Sequence, residues 1–156
     1  DLLNKDIKMS PKFIRGLRWI KKLDGKEILY LIKDSKSNEI LCERLFINKK
    51  DRKILNEYNF IKSKFEQNKE KYKYFSASNW TAFIEDNNLD PETIKLLISE
   101  SILFWRELFR WLFIYRFIKS SKNGKTLKEE GWKEGKNIGD EIKRLRYINI
   151  DNYSKH

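Results

Sequence analysis

The chain has 156 residues, 40% hydrophobic and 14% aromatic, with 37% charged residues and a formal net charge of +11. One cysteine and one histidine exclude an internal disulfide and a Cys/His zinc cluster, and two prolines with six glycines argue against a many-turned β fold. What remains is a single domain large enough to bury a core, built of helices.

The sequence opens on Asp1 with no apolar leader, so the expectation is an excised part of a longer, cytoplasmic protein. Cys42 has no histidine partner in prospect, because His156 sits at the extreme end, and it reads as a small buried hydrophobe. The charge is unevenly spread. Residues 1–75 hold 20 Lys and Arg against 11 Asp and Glu, residues 76–115 hold 3 against 6, and residues 116–156 hold 11 against 6. The ends of the chain should therefore supply a positive surface around a more apolar centre, and such a surface attracts polyanions.

In chain order, Ser10-Pro11 is a helix start, with Ser10 as cap and Pro11 at the first helical position; Phe13, Ile14, Leu17, Arg18, Ile20 and Lys21 continue it to Asp24-Gly25. The run E-I-L-Y-L-I within residues 26–33 reads as helix, since no second strand-like run exists to pair with it. Ser37-Asn38 breaks that segment, and Glu39 to Phe46 forms another short amphipathic helix. Asn48, with Asp51 three residues on, predicts the cap of a long helix whose apolar positions are Ile54, Leu55, Tyr58, Ile61 and Phe65. The polar run from Gln67 to Lys73 ends it, and Ser78 starts a short helix carrying Trp80, Phe83 and Ile84.

Asp90-Pro91-Glu92-Thr93 combines a capping carboxylate, a proline at the first position and an acid in the first turn, the strongest helix start in the chain. The following residues are apolar on nearly every side as far as Ser120, which predicts one long central buried helix. Arg106, Glu107, Arg110 and Arg116 interrupt it, so it is no membrane span and no membrane partner is expected. Arg106 and Arg110 lie one turn apart, as a solvated stripe or a phosphate-facing pair. Trp105, Phe109, Trp111 and Phe113 read as core rather than as a stacking platform.

The last segment, N-G-K-T-L-K-E-E-G-W-K-E-G-K-N-I-G-D-E-I-K-R-L from Asn123 to Leu145, holds four of the six glycines: Gly124, Gly131, Gly135 and Gly139. With Leu127, Ile138, Ile142 and Leu145 between and after them, it predicts two helices joined by a tight turn. Thr126 caps the first, over Leu127 to Glu130; Gly131 ends it in a left-handed conformation, and Gly135 turns the chain into the next near Ile138. Trp132, in the turn, either plugs the hairpin onto the body or stacks on a base. A helix N-terminus freed by glycine suits phosphate oxygens. The candidate phosphate-binding residues are thus Lys125, Lys133, Gly135, Lys136, Gly139, Lys143, Arg144 and Arg146, with Lys136, Lys143 and Arg144 expected on the face of the turn and Ile142 and Leu145 packed inward.

These residues resemble a tail motif, G-x-D-L-x-x-x-G-x-x-P-G-x-x-x-G-x-x-L-x-x-L, of class II tRNA nucleotidyltransferases (CCA-adding enzymes) and bacterial poly(A) polymerases. The glycine and aliphatic spacing agrees without a gap; Thr126 stands where that family has Asp, and Glu134 where it has Pro. Glu43-Arg44-Leu45 followed by Asn48 to Arg52 is similar to the family's helical body. The resemblance implies an all-α, multi-helix domain around a central buried helix, with a body over 1–120 and a hairpin tail over 121–156. It implies a tRNA, or another RNA 3′ region, as partner. The catalytic head and neck of the same polypeptide would lie outside this chain, and Mg2+ with ATP or CTP would belong to that head. No D-x-D carboxylate pair occurs here, so no catalytic or metal-binding residue is expected in the chain itself. Two other readings stay open: a stand-alone helix-hairpin-helix module on DNA backbone, and a structural helical interaction domain.

Overall fold

The computed structural model describes residues 10–34, 38–100 and 102–155, the backbone alone at 38 and 39. Ser37, part of the expected break before the third helix, and His156 lie outside them. The described residues form ten α-helices and no strand: α1 (Pro11–Lys22), α2 (Glu27–Ile32), α3 (Asn38–Arg44), α4 (Lys49–Gln67), α5 (Lys69–Lys73), α6 (Ala77–Asp86), α7 (Pro91–Ser99), α8 (Trp105–Phe113), α9 (Gly124–Glu129) and α10 (Lys136–Ser154), with a 3-10 turn at Tyr115–Phe117. The fold is all-α.

The starts follow from side-chain chemistry. The Ser10 hydroxyl accepts from the Phe13 N–H with Pro11 at the first position, the Asn48 carbonyl accepts from the Asp51 N–H, and Asp90 accepts from the Glu92 N–H ahead of Pro91. The Asn48 side-chain amide also donates to the Asp51 carboxylate at 3.2 Å. Of the run within residues 26–33, Glu27–Ile32 is helical, and its Leu29, Tyr30 and Ile32 are buried. In α4, Ile54, Leu55, Tyr58, Ile61 and Phe65 are all buried, at the spacing of one helical face.

The single helix expected from Asp90 to Ser120 is instead broken. It stops at Ser99, Phe104 takes a left-handed backbone (φ 69°), α8 restarts at Trp105, and Ile114 ends it again ahead of the 3-10 turn. A straight helix of that length would run ~45 Å, farther than its neighbours could cover an apolar surface on all sides. Folding back lets α7 bury Ile94, Leu96, Leu97 and Ile98 against α1 and α4, while α8 buries Leu108, Trp111 and Leu112 and lies on α6 and α7. The central buried element is therefore α7 alone. Phe113 ends up 48% exposed, against the expectation that it is core; Trp105 and Phe109 are half-buried and Trp111 is buried.

Two further expectations are corrected. The cap of α6 is Ser76, whose hydroxyl accepts from the Asn79 N–H at 3.2 Å; Ser78 is already inside the helix. The polar run after Gln67 forms the short α5, which turns Tyr72 inward. Tyr72 joins Phe65, Phe75, Trp80, Phe83 and Phe104 in a cluster of tilted and edge-on rings, with Phe65 centred 5.7 Å from Trp80 and 5.6 Å from Phe104. This cluster ties α4, α5, α6 and the break before α8 together, and α6 in turn carries α10.

Candidate nucleic-acid interface

The tail is built as a hairpin, with a different cap from the expected one. Asn123, not Thr126, caps α9: its side-chain oxygen accepts from the Thr126 N–H at 3.0 Å and from the Thr126 hydroxyl at 3.2 Å. Asn is as good a cap as Asp, and with it the helix starts at Gly124, three residues ahead of the expected Leu127. Leu127 is buried beneath it. At the other end the Gly131 N–H donates to the Lys128 carbonyl and the Trp132 N–H to the Leu127 carbonyl, both at 3.0 Å, with Gly131 at φ +93°. That pair of bonds is the Schellman closure that glycine permits at no steric cost. Trp132 is 40% exposed, its backbone committed to the turn and its ring neither fully plugged nor free.

Gly135 then holds φ +133° and ψ −158°, a backbone open essentially to glycine alone, and no side chain caps α10 behind it. No acid lies in the first turn of α10. A Cβ placed at Gly131, Gly135 or Gly139 would meet nothing within 4 Å, whereas one at Gly124 would touch Ile138 at 3.8 Å and Ile142 at 4.0 Å. Gly124 thus marks the α9–α10 contact, Gly131 bares backbone just past the end of α9, and Gly135 and Gly139 bare it at the start of α10. Gly139 in particular sits in a helix interior, where Gly costs about 1 kcal/mol relative to Ala, with no packing that requires it.

The eight candidate residues separate into groups. Lys125, Lys133 and Lys136 are exposed and carry no ion pair or side-chain hydrogen bond among the described residues; Lys133 and Lys136 lie in and just after the uncovered turn with Gly135 and Gly139, while Lys125 lies at the start of α9. Lys143 is also exposed but donates to Asp86 of α6 at 2.7 Å, and this bond raises its pKa. Arg144 folds back onto Glu141 through two 2.7 Å bonds. Arg146 points inward, gripping Glu85 at 2.6 and 2.8 Å while its Nε donates to the Ile118 carbonyl at 2.8 Å. Lys136, Lys143 and Arg144 do not form one free cluster. Glu85 and Asp86, adjacent in sequence, each hold one cation of α10, and with them fix the helix on α6.

The hairpin is braced by two ion pairs that the spacing alone did not indicate, Lys122–Glu130 at 2.8 Å and Lys128–Glu134 at 2.7 Å. Glu134 accordingly has its carboxyl held below its ordinary range, chiefly by the Lys128 hydrogen bond. The braces neutralise two lysines and leave the charge excess to Lys125, Lys133 and Lys136. Arg106 is exposed, with its guanidinium 5.6 Å from the Trp105 ring, and Arg110 pairs with Glu107 at 3.4 Å. No described helix is long and apolar enough to cross a membrane, and among the described residues no three His, Cys, Asp or Glu side chains converge to hold a metal. Compared with protein families, curated proteins and solved structures, the chain has no match.

Proposed function

We propose that this domain binds RNA through its tail hairpin, as the helical body and tail of a nucleotidyltransferase of the CCA-adding or poly(A)-adding kind, whose catalytic head supplies the chemistry. The observation that carries this reading is the uncovered turn: Lys133 and Lys136, exposed and without an ion pair among the described residues, lie beside a helix start whose backbone Gly135 and Gly139 leave bare, and Lys125 is a third such lysine at the start of α9. Backbone N–H groups with the helix dipole behind them take a phosphate oxygen, and the lysines add charge without base readout. RNA is the favoured polyanion because the motif spacing agrees with that family. The sequence has no D-x-D pair, and on this reading the paired magnesium ions of nucleotidyl transfer and the ATP or CTP belong to the head.

The test is the double variant Lys133→Glu/Lys136→Glu, compared with the parent chain for tRNA binding, duplex-DNA binding and thermal stability. Neither lysine has a partner to lose, so melting should stay within about a degree or two, and surface charges of this kind contribute little to folding. Affinity for tRNA should fall at least tenfold. Unchanged tRNA affinity removes the hairpin from the interface, and stronger binding of duplex DNA than of tRNA by the parent overturns the RNA assignment.

A further inference from the structure

Away from the hairpin, α1 has the sequence P-K-F-I-R-G-L-R-W-I-K-K, with five cations and no acid. Its apolar side is already used: Gly16 and Ile20 are buried, and Phe13 and Leu17 pack on the core against which α1 crosses α7. The opposite side is an open face that carries Pro11, Ile14, Arg15, Arg18, Trp19 and Lys22. Arg15, Arg18 and Lys22 are exposed along one line of the helix surface at spacings of three and four residues, and none has an ion pair among the described residues. Lys22 sits 5.5 Å from the centre of the Trp19 ring, and Ile14 is 37% exposed beside them. Among the described residues, the only cation of α1 with an acidic partner is Lys12, 3.5 Å from Glu100.

We infer that this face of α1 is a second RNA contact, in which Arg15, Arg18 and Lys22 take consecutive phosphodiesters of a single-stranded or loop segment and the partly exposed Trp19 ring, on one flank of that line, receives a base or ribose. The inference rests on the RNA reading above. Three features of the face decide the ligand. The three cations span about 10 Å along the helix axis, the scale of successive phosphates on an extended strand. A half-buried tryptophan beside them offers a sequence-tolerant stacking edge, and guanidinium groups suit phosphate in two-bond geometry. A membrane surface fits less well, because interfacial helices insert their apolar face and that face of α1 is closed against α7.

The experiment compares four proteins: the parent chain, Arg15→Glu/Arg18→Glu, Lys133→Glu/Lys136→Glu, and the combination. Each is titrated with tRNA and with a fluorescent single-stranded RNA of about a dozen nucleotides, over a series of salt concentrations, alongside thermal melts. A 4-thiouridine RNA is cross-linked to the parent and the attached peptide mapped. The expected result is a fivefold or greater loss of single-stranded RNA affinity in the α1 variant with unchanged melting, a salt slope reduced by about two, additivity with the hairpin variant, and cross-links within residues 11–22. Loss in the hairpin variant alone overturns the α1 contact and leaves the function proposed above standing. Loss in the α1 variant alone overturns the hairpin assignment instead, and loss in neither overturns both. Flotation with phosphatidylglycerol vesicles that requires Arg15 and Arg18, without RNA binding, makes α1 a membrane element and overturns the inference as well.

Discussion

Ser78 and Asp151 are joined twice: the Ser78 N–H donates to one carboxylate oxygen of Asp151 at 2.8 Å, and its hydroxyl donates to the other at 2.7 Å. A residue near the end of the chain thus satisfies two donors in the first turn of α6, where an anion also complements the helix dipole. Replacing Asp151 by Ala leaves both donors to water and should cost about 1 to 3 kcal/mol, read as a lowered denaturation midpoint with an unchanged m-value. Asp151→Asn should recover part of the loss, since its carbonyl accepts one bond. An Ala variant as stable as the parent would mean that the pair does not hold in solution.

Gly16 and Gly139 make opposite predictions from the same substitution. A Cβ at Gly16 would fall inside the Tyr30 hydroxyl and 2.7 Å from the Ser99 carbonyl oxygen, so the α1–α7 crossing must open. Gly16→Ala should destabilise by about 2 kcal/mol or more. A Cβ at Gly139 meets nothing, so Gly139→Ala should raise stability by up to about 1 kcal/mol through helix propensity. Where RNA lies on the bared backbone, that same variant binds more weakly while melting higher. Thermal melts and RNA titrations on the two proteins check both halves.

Lys33 is 2% exposed, with Glu100 at 2.8 Å, Asp34 at 2.6 Å and its Nζ 4.2 Å from the centre of the Tyr30 ring. Lys33→Ala strands Glu100 without its nearest cation and should cost about 3 kcal/mol or more. Pairing that change with Glu100→Gln should restore much of it, because no unpaired charge then remains. Equal stability of the single and double variants would contradict the coupling.

The same region sets a response to alkali. Burial, reinforced by the charges of Glu100 and Asp34, pushes the Tyr30 hydroxyl from 10.0 up to about 12, and Tyr58 is raised by the same causes. The folded state keeps these protons after the unfolded chain has lost them. Their contribution is therefore complete below about pH 10 and declines as pH climbs toward 12. Urea denaturation at stepped pH should show this decline, and Tyr30→Phe and Tyr58→Phe should each flatten it. A slope unaltered by either variant would place its cause elsewhere.

What could be read beforehand was local. Ser10, Asn48 and Asp90 announce their helices because a cap and its N–H lie within three residues, and the periodic apolar face of α4 needs no tertiary partner to be recognised. Gly131 likewise reveals its left-handed closure. The break at Phe104 was hidden because an apolar run around a helix looks the same whether it is straight or folded back; only α6 and α7 waiting on either side decide it. Ser78 looked like a cap since its true partner, Asp151, is 73 positions away. Among the candidate contacts, Lys125, Lys133 and Lys136 stayed free, while Lys143, Arg144 and Arg146 met acids, two of them in α6 and so invisible to spacing within the tail. The basic face of α1 had a signal in its sequence, cations repeating along one line with no acid.

The way α10 is fastened has a dynamic consequence. Only Ile138 and Ile150 of its 19 residues are fully buried, while Asp86–Lys143, Glu85–Arg146 and Ser78–Asp151 pin it to α6 at three heights. A helix held mainly by polar pins gives up little apolar area when it lifts, so the tail constitutes a separate opening unit of lower free energy than the α4–α7 centre. Hydrogen exchange should find the amides of α10 released before those of α7, and the gap should widen as salt weakens the exposed pin at Lys143. A polyanion bridging the hairpin and the rest of the surface would close that gap, acting as a splint on the part of the molecule that moves first.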